Sequence, residues 1–354
     1  MLVINARFLT QSITGVQRFA LELSRILKRD LKGEVQFVTS KDVLHKDIQQ
    51  ELDAKIIGKN TGHLWEQIDL PKYLKSIGSP LLLSLANSSP IGYNNKIVAL
   101  HDITFARFPK SSTRKFFYFY KILTPLVLKT SKHILTVSEF SKKEIIDYYK
   151  INGDKISVIY NAVVQDFVAD QKIDHTGNDY FMTLSSTKQN KNLVSLLEAF
   201  KLLIKIYPDI ELRVVGKMLS ETKNDLNIAE YQSVKNIKFL GRVDDNDLKK
   251  MYNNARGFIF PSLYEGFGIP PLEAQSCGCP VIVSDRSSLP EVFSDSALYI
   301  EPTNLEDLKE KMQSLLVNNN LRNDLIQKGY ENSKRFSWEK SAHQIIAILD
   351  NIKN

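Results

Sequence analysis

Cysteine is nearly missing from this chain: Cys277 and Cys279 are the only two in 354 residues. A C-x-C pair with no second Cys or His cluster beside it makes neither a zinc site nor a disulfide framework. Both are therefore read as small buried packing residues, and so few thiols suit a reducing cytoplasm. Long apolar runs are also absent; none reaches the roughly 20 residues that span a bilayer. The N-terminal Met1-Leu2-Val3-Ile4-Asn5 enters strand-like sequence without the basic and apolar regions of a leader. The expectation is a soluble protein, cytoplasmic or at most peripheral on the inner face of the plasma membrane. Short-period repeats and low-complexity tracts are missing too. No G-x-G-x-x-G follows a strand candidate, which disfavours a dinucleotide oxidoreductase.

What is present is ordinary globular sequence, 43% hydrophobic and 25% charged. Lys and Arg exceed Asp and Glu by 47 to 40, a net charge of +7 that suits an anionic partner without choosing one. The length favours two domains. Short apolar runs alternate with longer amphipathic stretches, the pattern of βαβ units around a parallel sheet. The first half predicts strands at Leu2–Asn5, Val35–Thr39, Leu81–Leu85, Ile97–Leu100, Ile134–Val137 and Ile156–Val158. Helices are expected at Val16–Leu27, Arg114–Thr130 and Lys142–Tyr149. The second half repeats the rhythm, with strands at Tyr180–Leu184, Glu211–Val215, Ile237–Leu240, Gly257–Phe260, Val281–Val283 and Leu298–Ile300. Its helices fall at Leu193–Ile206, Asn246–Asn253, Pro271–Ser276, Leu305–Asn318 and Asn320–Ser333, and the tail 338–352 is again helical in pattern. Residues 164–179 are polar and aperiodic and read as a linker. That places one α/β domain at 1–163, joined by the tail 338–354, and a second at 180–337. Open α/β sheets bind ligands at the carboxyl ends of their strands.

The most informative segment runs from Phe258 to Ala274. A strand ends at Phe260, a glycine-containing loop follows, and Pro270 and Pro271 suit the first turn of a helix. Strand, loop and helix N-terminus together form an anion site, and Gly266 and Gly268 let backbone approach a ligand. Glu265 and Glu273 bracket the loop in an E-x7-E arrangement, carboxylate acceptors suited to sugar hydroxyls. Taken alone, Glu273 would merely complement the helix dipole and Glu265 would be a solvated loop residue.

Continued through Gln275-Ser276-Cys277-Gly278-Cys279-Pro280-Val281, this segment resembles the donor-site signature of retaining family 4 glycosyltransferases. Their GT-B fold is α/β, two facing Rossmann-like domains with an interdomain cleft and a C-terminal helix crossing back to the N-terminal domain. The likeness is strongest to bacterial members that build O-antigen and capsular polysaccharide, mannosyl- and rhamnosyltransferases among them. The resemblance implies that Glu265 contacts the donor sugar and Glu273 the ribose, with the amides of Phe267 and Gly268 facing sugar and diphosphate. Thr187-Lys188-Gln189-Asn190-Lys191-Asn192-Leu193 resembles the family's P-R-K-N-L turn. Lys191 then holds the pyrophosphate, Asn190 stands where Arg is usual, and Lys188 is a candidate for the second charge. Gly216-Lys217 and Gly241-Arg242-Val243 resemble the segments lining the nucleotide base, with Arg242 the candidate contact. In the first half Ile13-Thr14-Gly15-Val16-Gln17-Arg18 resembles the phosphate-side loop, with Gly15 and Arg18 on the donor. His101-Asp102 matches the family's H-D pair, whose His sits at the reaction centre. Ser138-Glu139-Phe140-Ser141-Lys142 resembles a helix start near the cleft floor, where Ser141 reads equally as an N-cap. Ile159–Val163 resembles the hinge, and Arg335–Glu339 the segment leading to the returning helix.

Glycosyl transfer develops negative charge on the departing diphosphate, so fixed cations and a helix N-terminus are the devices expected. No D-x-D pair accompanies the phosphate site, and Asp244-Asp245 lie in a polar turn. The expectation is therefore a metal-independent hexosyltransferase without a cofactor, and the family resemblance implies that it retains configuration. Its donor would be of GDP-mannose or dTDP-rhamnose type and its acceptor a saccharide or polyprenyl-diphosphate-linked saccharide. Segment 107–129 interleaves bases with aromatics; it lies either against anionic lipid headgroups, a peripheral membrane contact, or packs inward as a core helix. Nucleic acid is disfavoured, since no recognised module accompanies the basic residues. The alternatives are a sugar-nucleotide epimerase of the same architecture and a non-catalytic sugar-nucleotide-binding subunit; the E-x7-E signature and the joint presence of Glu265, Glu273, Lys191 and His101 argue against them.

Overall fold

The computed structural model of the chain describes residues 1–164, 167, 180–216 and 228–353. Leu- and β-branched-rich runs form strands buried on both faces, as parallel sheets require. In the first sheet these are β1 (Leu2–Asn5), β2 (Val35–Thr39), β3 (Lys55–Ile56), β4 (Leu81–Ser84), β5 (Lys96–Ala99), β6 (His133–Thr136) and β7 (Ile156–Val158). They pair in parallel in the order β3-β2-β1-β4-β5-β6-β7. The second sheet contains β8 (Tyr180–Leu184), β9 (Glu211–Val215), β10 (Ile237–Gly241), β11 (Gly257–Phe260), β12 (Val281–Ser284) and β13 (Leu298–Ile300). Its order is β10-β9-β8-β11-β12-β13, again parallel throughout.

Each sheet starts near its middle and winds outward in both directions. The winding reverses between β1 and β4 in the first sheet and between β8 and β11 in the second. At such a reversal the loops leave the sheet on opposite sides and open a crevice at the carboxyl ends of the strands.

The predicted strands are all present, some displaced by one residue. β5 begins at Lys96 rather than Ile97 because this lysine is fully buried. Its ammonium donates to the carbonyls of Pro90 (2.8 Å) and Tyr93 (2.7 Å) and to Thr130 Oγ1 (2.7 Å). Burial pushes its pKa down to about 8. β3 was not anticipated: two exposed edge residues carry no periodicity to read.

The Gly15–Asp30 helix starts at Thr14, which forms a capping box with Gln17, and buries Phe19, Leu23, Ile26 and Leu27 at helical spacing. The last helix, Trp338–Lys353, buries Trp338, Ala342, Ile345 and Leu349 and packs against it, with Phe19 and Trp338 ring centroids 6.0 Å apart. In the second sheet, Leu193, Leu196, Leu197 and Phe200 of the Leu193–Leu203 helix meet Phe181, Leu212, Val214 and Ile259 in one core. Cys277 and Cys279 are free and buried, and burial together with Cys277 drives the Cys279 thiol pKa well up.

By contacts the chain divides into two units. The first holds Met1–Arg107, Thr113–Asn161 and Ser337–Asn354; the second holds Phe108–Ser112 and Ala162–Phe336. They part within the hinge-like Ile159–Val163. Of the linker expected at 164–179, only Val164 and Phe167 are among the described residues. Among those residues no helix is long and apolar enough to cross a membrane.

Candidate active site

In the second unit every residue singled out from sequence lies beyond the carboxyl end of a strand. Lys188 and Lys191 follow β8, Gly216 follows β9, Arg242 follows β10, and Glu265 to Glu273 follow β11. The two loops at the reversal are stitched together by backbone. Leu263 N–H donates to the Asn190 carbonyl (2.8 Å), and Asn190 Nδ2 donates to the Tyr264 carbonyl (3.2 Å). Asn192, held at φ 51°, donates from Nδ2 to the carbonyls of Pro261 (3.1 Å) and Pro302 (2.6 Å). This accounts for Asn190 at a position where a charge was expected: it is buried and fastens one loop to the other.

The consequence is an ion pair across the reversal. Lys191 Nζ lies 2.7 Å from Glu265 Oε1 and 5.1 Å from the centroid of the Phe260 ring. Both side chains are mostly shielded, 24% and 14% accessible, so the pair is partly desolvated. Serines on the 285–288 turn hold the Glu265 backbone: its N–H donates to Ser287 Oγ (3.0 Å), and Ser288 Oγ donates to its carbonyl (3.0 Å).

Gly268 caps the Ile269–Ser276 helix at φ 101°, where a Cβ would come 2.7 Å from Leu289 Cδ2. Pro270 and Pro271 fall within its first turn, as the sequence suggested, and carry no N–H; Ile269 and Leu272 supply the donors there. Glu273 is in this helix and buried, while Phe267 packs edge-on against Phe336 with centroids 5.3 Å apart. Gly216, at φ 127°, sits so close to β8 that a Cβ would lie 2.1 Å from the Ser185 carbonyl oxygen. Lys188 and Arg242 are exposed, and Lys217 lies outside the described residues. Asp244 is the N-cap of the Asp245–Asn254 helix, accepting from Asp247 N–H at 2.8 Å.

In the first unit Gly15 and Arg18 occupy the first turn of the helix that follows β1. His101 lies two residues past β5, only 5% exposed. Its Nε2 is 3.0 Å from the Leu85 carbonyl, and its ring meets Phe19 edge-on at 4.7 Å. Burial lowers its pKa, against smaller opposing effects of the Leu85 carbonyl and Asp102. A neutral imidazole donating Nε2–H to Leu85 fits both facts. At Ser138-Glu139-Phe140-Ser141, Ser138 is the N-cap and Ser141 supplies the donating amide at 3.0 Å. A buried Arg7–Glu66 pair at 3.2 Å stands at the β1/β4 reversal; neither residue had been singled out. The one available signal was a Trp-Glu-Gln run inside an amphipathic stretch.

The Arg114–Thr130 helix divides its apolar residues between a buried and an exposed side. It buries Tyr120, Leu123, Val127 and Leu128 and exposes Phe116, Tyr118, Phe119, Ile122 and Leu126.

Residues 13–167 match the family model described as Glycosyltransferase Family 4, and residues 165–332 match that described as Glycosyl transferases group 1. O-antigen chain mannosyltransferase B of Escherichia coli is 31% identical over 266 residues, covering 71% of this chain and 68% of that protein. O-antigen chain mannosyltransferase RfbU of Salmonella typhimurium is 28% identical over 333 residues, 90% of each chain. Among solved structures, Anabaena Alr3699/HepE in complex with UDP and glucose superposes with a TM-score of 0.75, covering 99% of each chain at 14% identity. That last likeness is one of fold.

The lowered His101 pKa ties stability to pH. Below about pH 6.5 the unfolded chain takes up a proton on this residue before the folded one does, so its contribution is lost as pH falls toward the folded pKa. His101→Gln removes the titration. The stability gap between the two proteins, measured by urea unfolding, is expected to shift against the parent as pH drops from 7 to 5. A gap independent of pH would show that His101 is not held neutral.

Proposed function

The chain belongs to glycosyltransferase family 4, with the GT-B fold, and from that premise we propose a hexosyl transfer with retention of configuration that needs no metal ion. The donor is a nucleotide sugar carrying mannose or rhamnose. The acceptor is a saccharide or polyprenyl-diphosphate-linked saccharide, as suits assembly of a surface polysaccharide. The mannosyltransferase relatives support the choice of sugar, and the complex of a fold neighbour with UDP and glucose supports a nucleoside diphosphate donor.

The observation that carries this reading is the Lys191–Glu265 pair at the β8/β11 reversal. Without ligand each holds the other in place. A bound donor would exchange that contact for two others: its diphosphate takes the ammonium, and a hydroxyl of its sugar takes the carboxylate. Both groups are fixed before the reaction, so little reorganisation accompanies the growth of charge on the leaving group. Lys188, Arg242, the close-packed turn at Gly216, and the amides around Gly266, Phe267 and Gly268 complete the proposed donor side, with Glu273 on the ribose. In the first unit the family resemblance assigns donor roles to Gly15, Arg18 and His101, the last as a neutral imidazole.

In the step itself the anomeric carbon–phosphate oxygen bond breaks, and the acceptor oxygen bonds to that carbon on the face the diphosphate leaves. The acceptor proton passes to the departing phosphate oxygen. Charge neutralisation falls to side chains and amides, and Asp244, a plausible half of a metal pair by composition, is spent on capping a helix.

The N-terminal unit takes the acceptor in this reading. Arg114, Tyr118, Ile122 and Leu126 recur every four residues on the Arg114–Thr130 helix, and the last three are 60%, 65% and 42% exposed. A basic residue heading an exposed apolar stripe suits the headgroup region of an anionic bilayer, where a lipid-linked acceptor would reside.

Glu265→Ala should leave the fold intact and nearly abolish transfer, while Lys191→Ala should weaken donor binding about tenfold, the order expected for one charge-assisted contact; wild-type turnover in the first variant would remove Glu265 from the site. Transfer should persist in EDTA, and a strict requirement for a divalent cation would overturn the metal-free step. The chain should sediment with vesicles containing phosphatidylglycerol but not with pure phosphatidylcholine, and Ile122→Ser should weaken that association; equal behaviour of both vesicles would exclude the electrostatic contact.

A further inference from the structure

We propose that His63 and Phe119, braced by the buried Tyr120 and the buried Glu66–Arg7 pair, form a subsite for the acceptor saccharide. This rests on the reading that the N-terminal unit takes the acceptor. All five residues belong to that unit.

The cluster sits where the first sheet reverses. Arg7 lies two residues past β1, Ser88 lies four past β4, and Glu66 comes from a π-helical turn, Trp65–Asp69. Trp65 anchors that turn: it is fully buried among Val3, Val38 and Leu82, and its Nε1–H donates to the Ile57 carbonyl at 2.8 Å. Glu66 is fully buried as well. Its Oε1 accepts from Asn5 Nδ2 (2.8 Å), Ser88 Oγ (3.0 Å) and Arg7 Nε (3.2 Å), and Arg7 Nη2 donates to Ser88 Oγ (2.7 Å). Burial alone would raise the Glu66 pKa, but the Arg7 charge and the bonds from His63 and Ser88 outweigh it and bring it to about 2.

Such an assembly is a poor device for stability. A buried ion pair roughly cancels its own desolvation cost, and well-packed apolar residues would serve as well. A π turn weakens the helix that contains it and occurs most often at functional sites. Both stand at a topological switch point, where ligands of α/β sheets bind. What the pair accomplishes is orientation. Glu66 Oε2 lies 3.3 Å from His63 Nδ1, so a proton held there leaves Nε2 as the outward acceptor, 3.5 Å from the Tyr120 hydroxyl.

The outer layer is accessible. The His63 side chain is 32% exposed and Phe119 38%. Their ring centroids are 4.6 Å apart, and that of Tyr120 is 5.8 Å from His63. Arg7 and Glu66 cancel in charge, which suits an uncharged polyol better than a phosphate. An aromatic face beside an oriented imidazole matches a pyranose, whose apolar C–H face packs on a ring while a hydroxyl bonds to nitrogen. Arg7, Glu66 and the buried Tyr120 are positioning residues; His63 and Phe119 touch the sugar.

The test uses the full chain labelled with 13C in its histidine rings, with the His63 signal assigned by its loss in His63→Gln. Methyl glycosides of mannose, rhamnose, galactose and N-acetylglucosamine are titrated in. At least one should move the His63 signal, and Phe119→Ala should weaken that response about tenfold, as loss of a stacking contact predicts. Glu66→Gln should weaken it too while leaving the thermal shift caused by GDP or dTDP unchanged; if that variant does not fold, Phe119→Ala decides. A His63 signal indifferent to all four glycosides, or Phe119→Ala with wild-type response, overturns the subsite. The nucleotide shift separates this from the donor site: a nucleotide response with a silent His63 removes the subsite alone, whereas a sugar response without a nucleotide response supports the subsite and removes the donor assignment.

Discussion

The Lys191–Glu265 contact exists because two loops at the reversal of a parallel sheet are fastened to each other before either side chain reaches across. A parallel sheet returns every connection through a helix, and where the winding reverses the two loops diverge, leaving a crevice that only contacts between them can bridge. The Leu263 amide and the side-chain amides of Asn190 and Asn192 supply the hydrogen bonds that close that gap. The charges then meet at 2.7 Å in partial shelter from water. An ion pair of this kind adds little to stability. It keeps a cation and a carboxylate at fixed positions beside a glycine turn, which is what a site for a sugar joined to a diphosphate requires.

The first unit repeats the arrangement with a different balance. There too a charged pair occupies the reversal, but Arg7 and Glu66 are buried beneath the surface, and His63 and the neighbouring Phe119 reach outward above them. The difference follows from what covers each pair. Around Glu265 the shielding comes from a glycine turn and serine-held backbone, with an opening left at the side chains. Around Glu66 it comes from a tryptophan-anchored π turn that seals the carboxylate and turns its effect outward through an imidazole. One pair meets its partner directly; the other acts through what it orients.

The chain's strands and most of its helices were legible because buried parallel strands are short continuous apolar runs and the helices between them carry a regular stripe. Tyr180–Leu184, Glu211–Val215 and Arg114–Thr130 came out residue for residue. Lys96 defeated the pattern at a strand edge, since no local rule announces that two carbonyls and a threonine wait to satisfy a buried ammonium. β3 and the π turn at Trp65–Asp69 went unseen for a related reason: one is too short to show a period, and the other interrupts it.

Sequence alone determined that there are two α/β halves, that the loop after Phe260 carries the acidic pair, and that a lysine follows the preceding strand of the reversal, because these depend on residue type and order. Tertiary structure decided which of those groups meet. It joined Lys191 to Glu265, turned Asn190 from a substitute for a charge into a loop fastener, and buried His101 against Leu85 and Phe19. It also brought Arg7 to Glu66 across 59 positions of chain. Contacts between residues far apart in sequence are set by strand order and helix packing, and no local pattern of residues encodes a strand order.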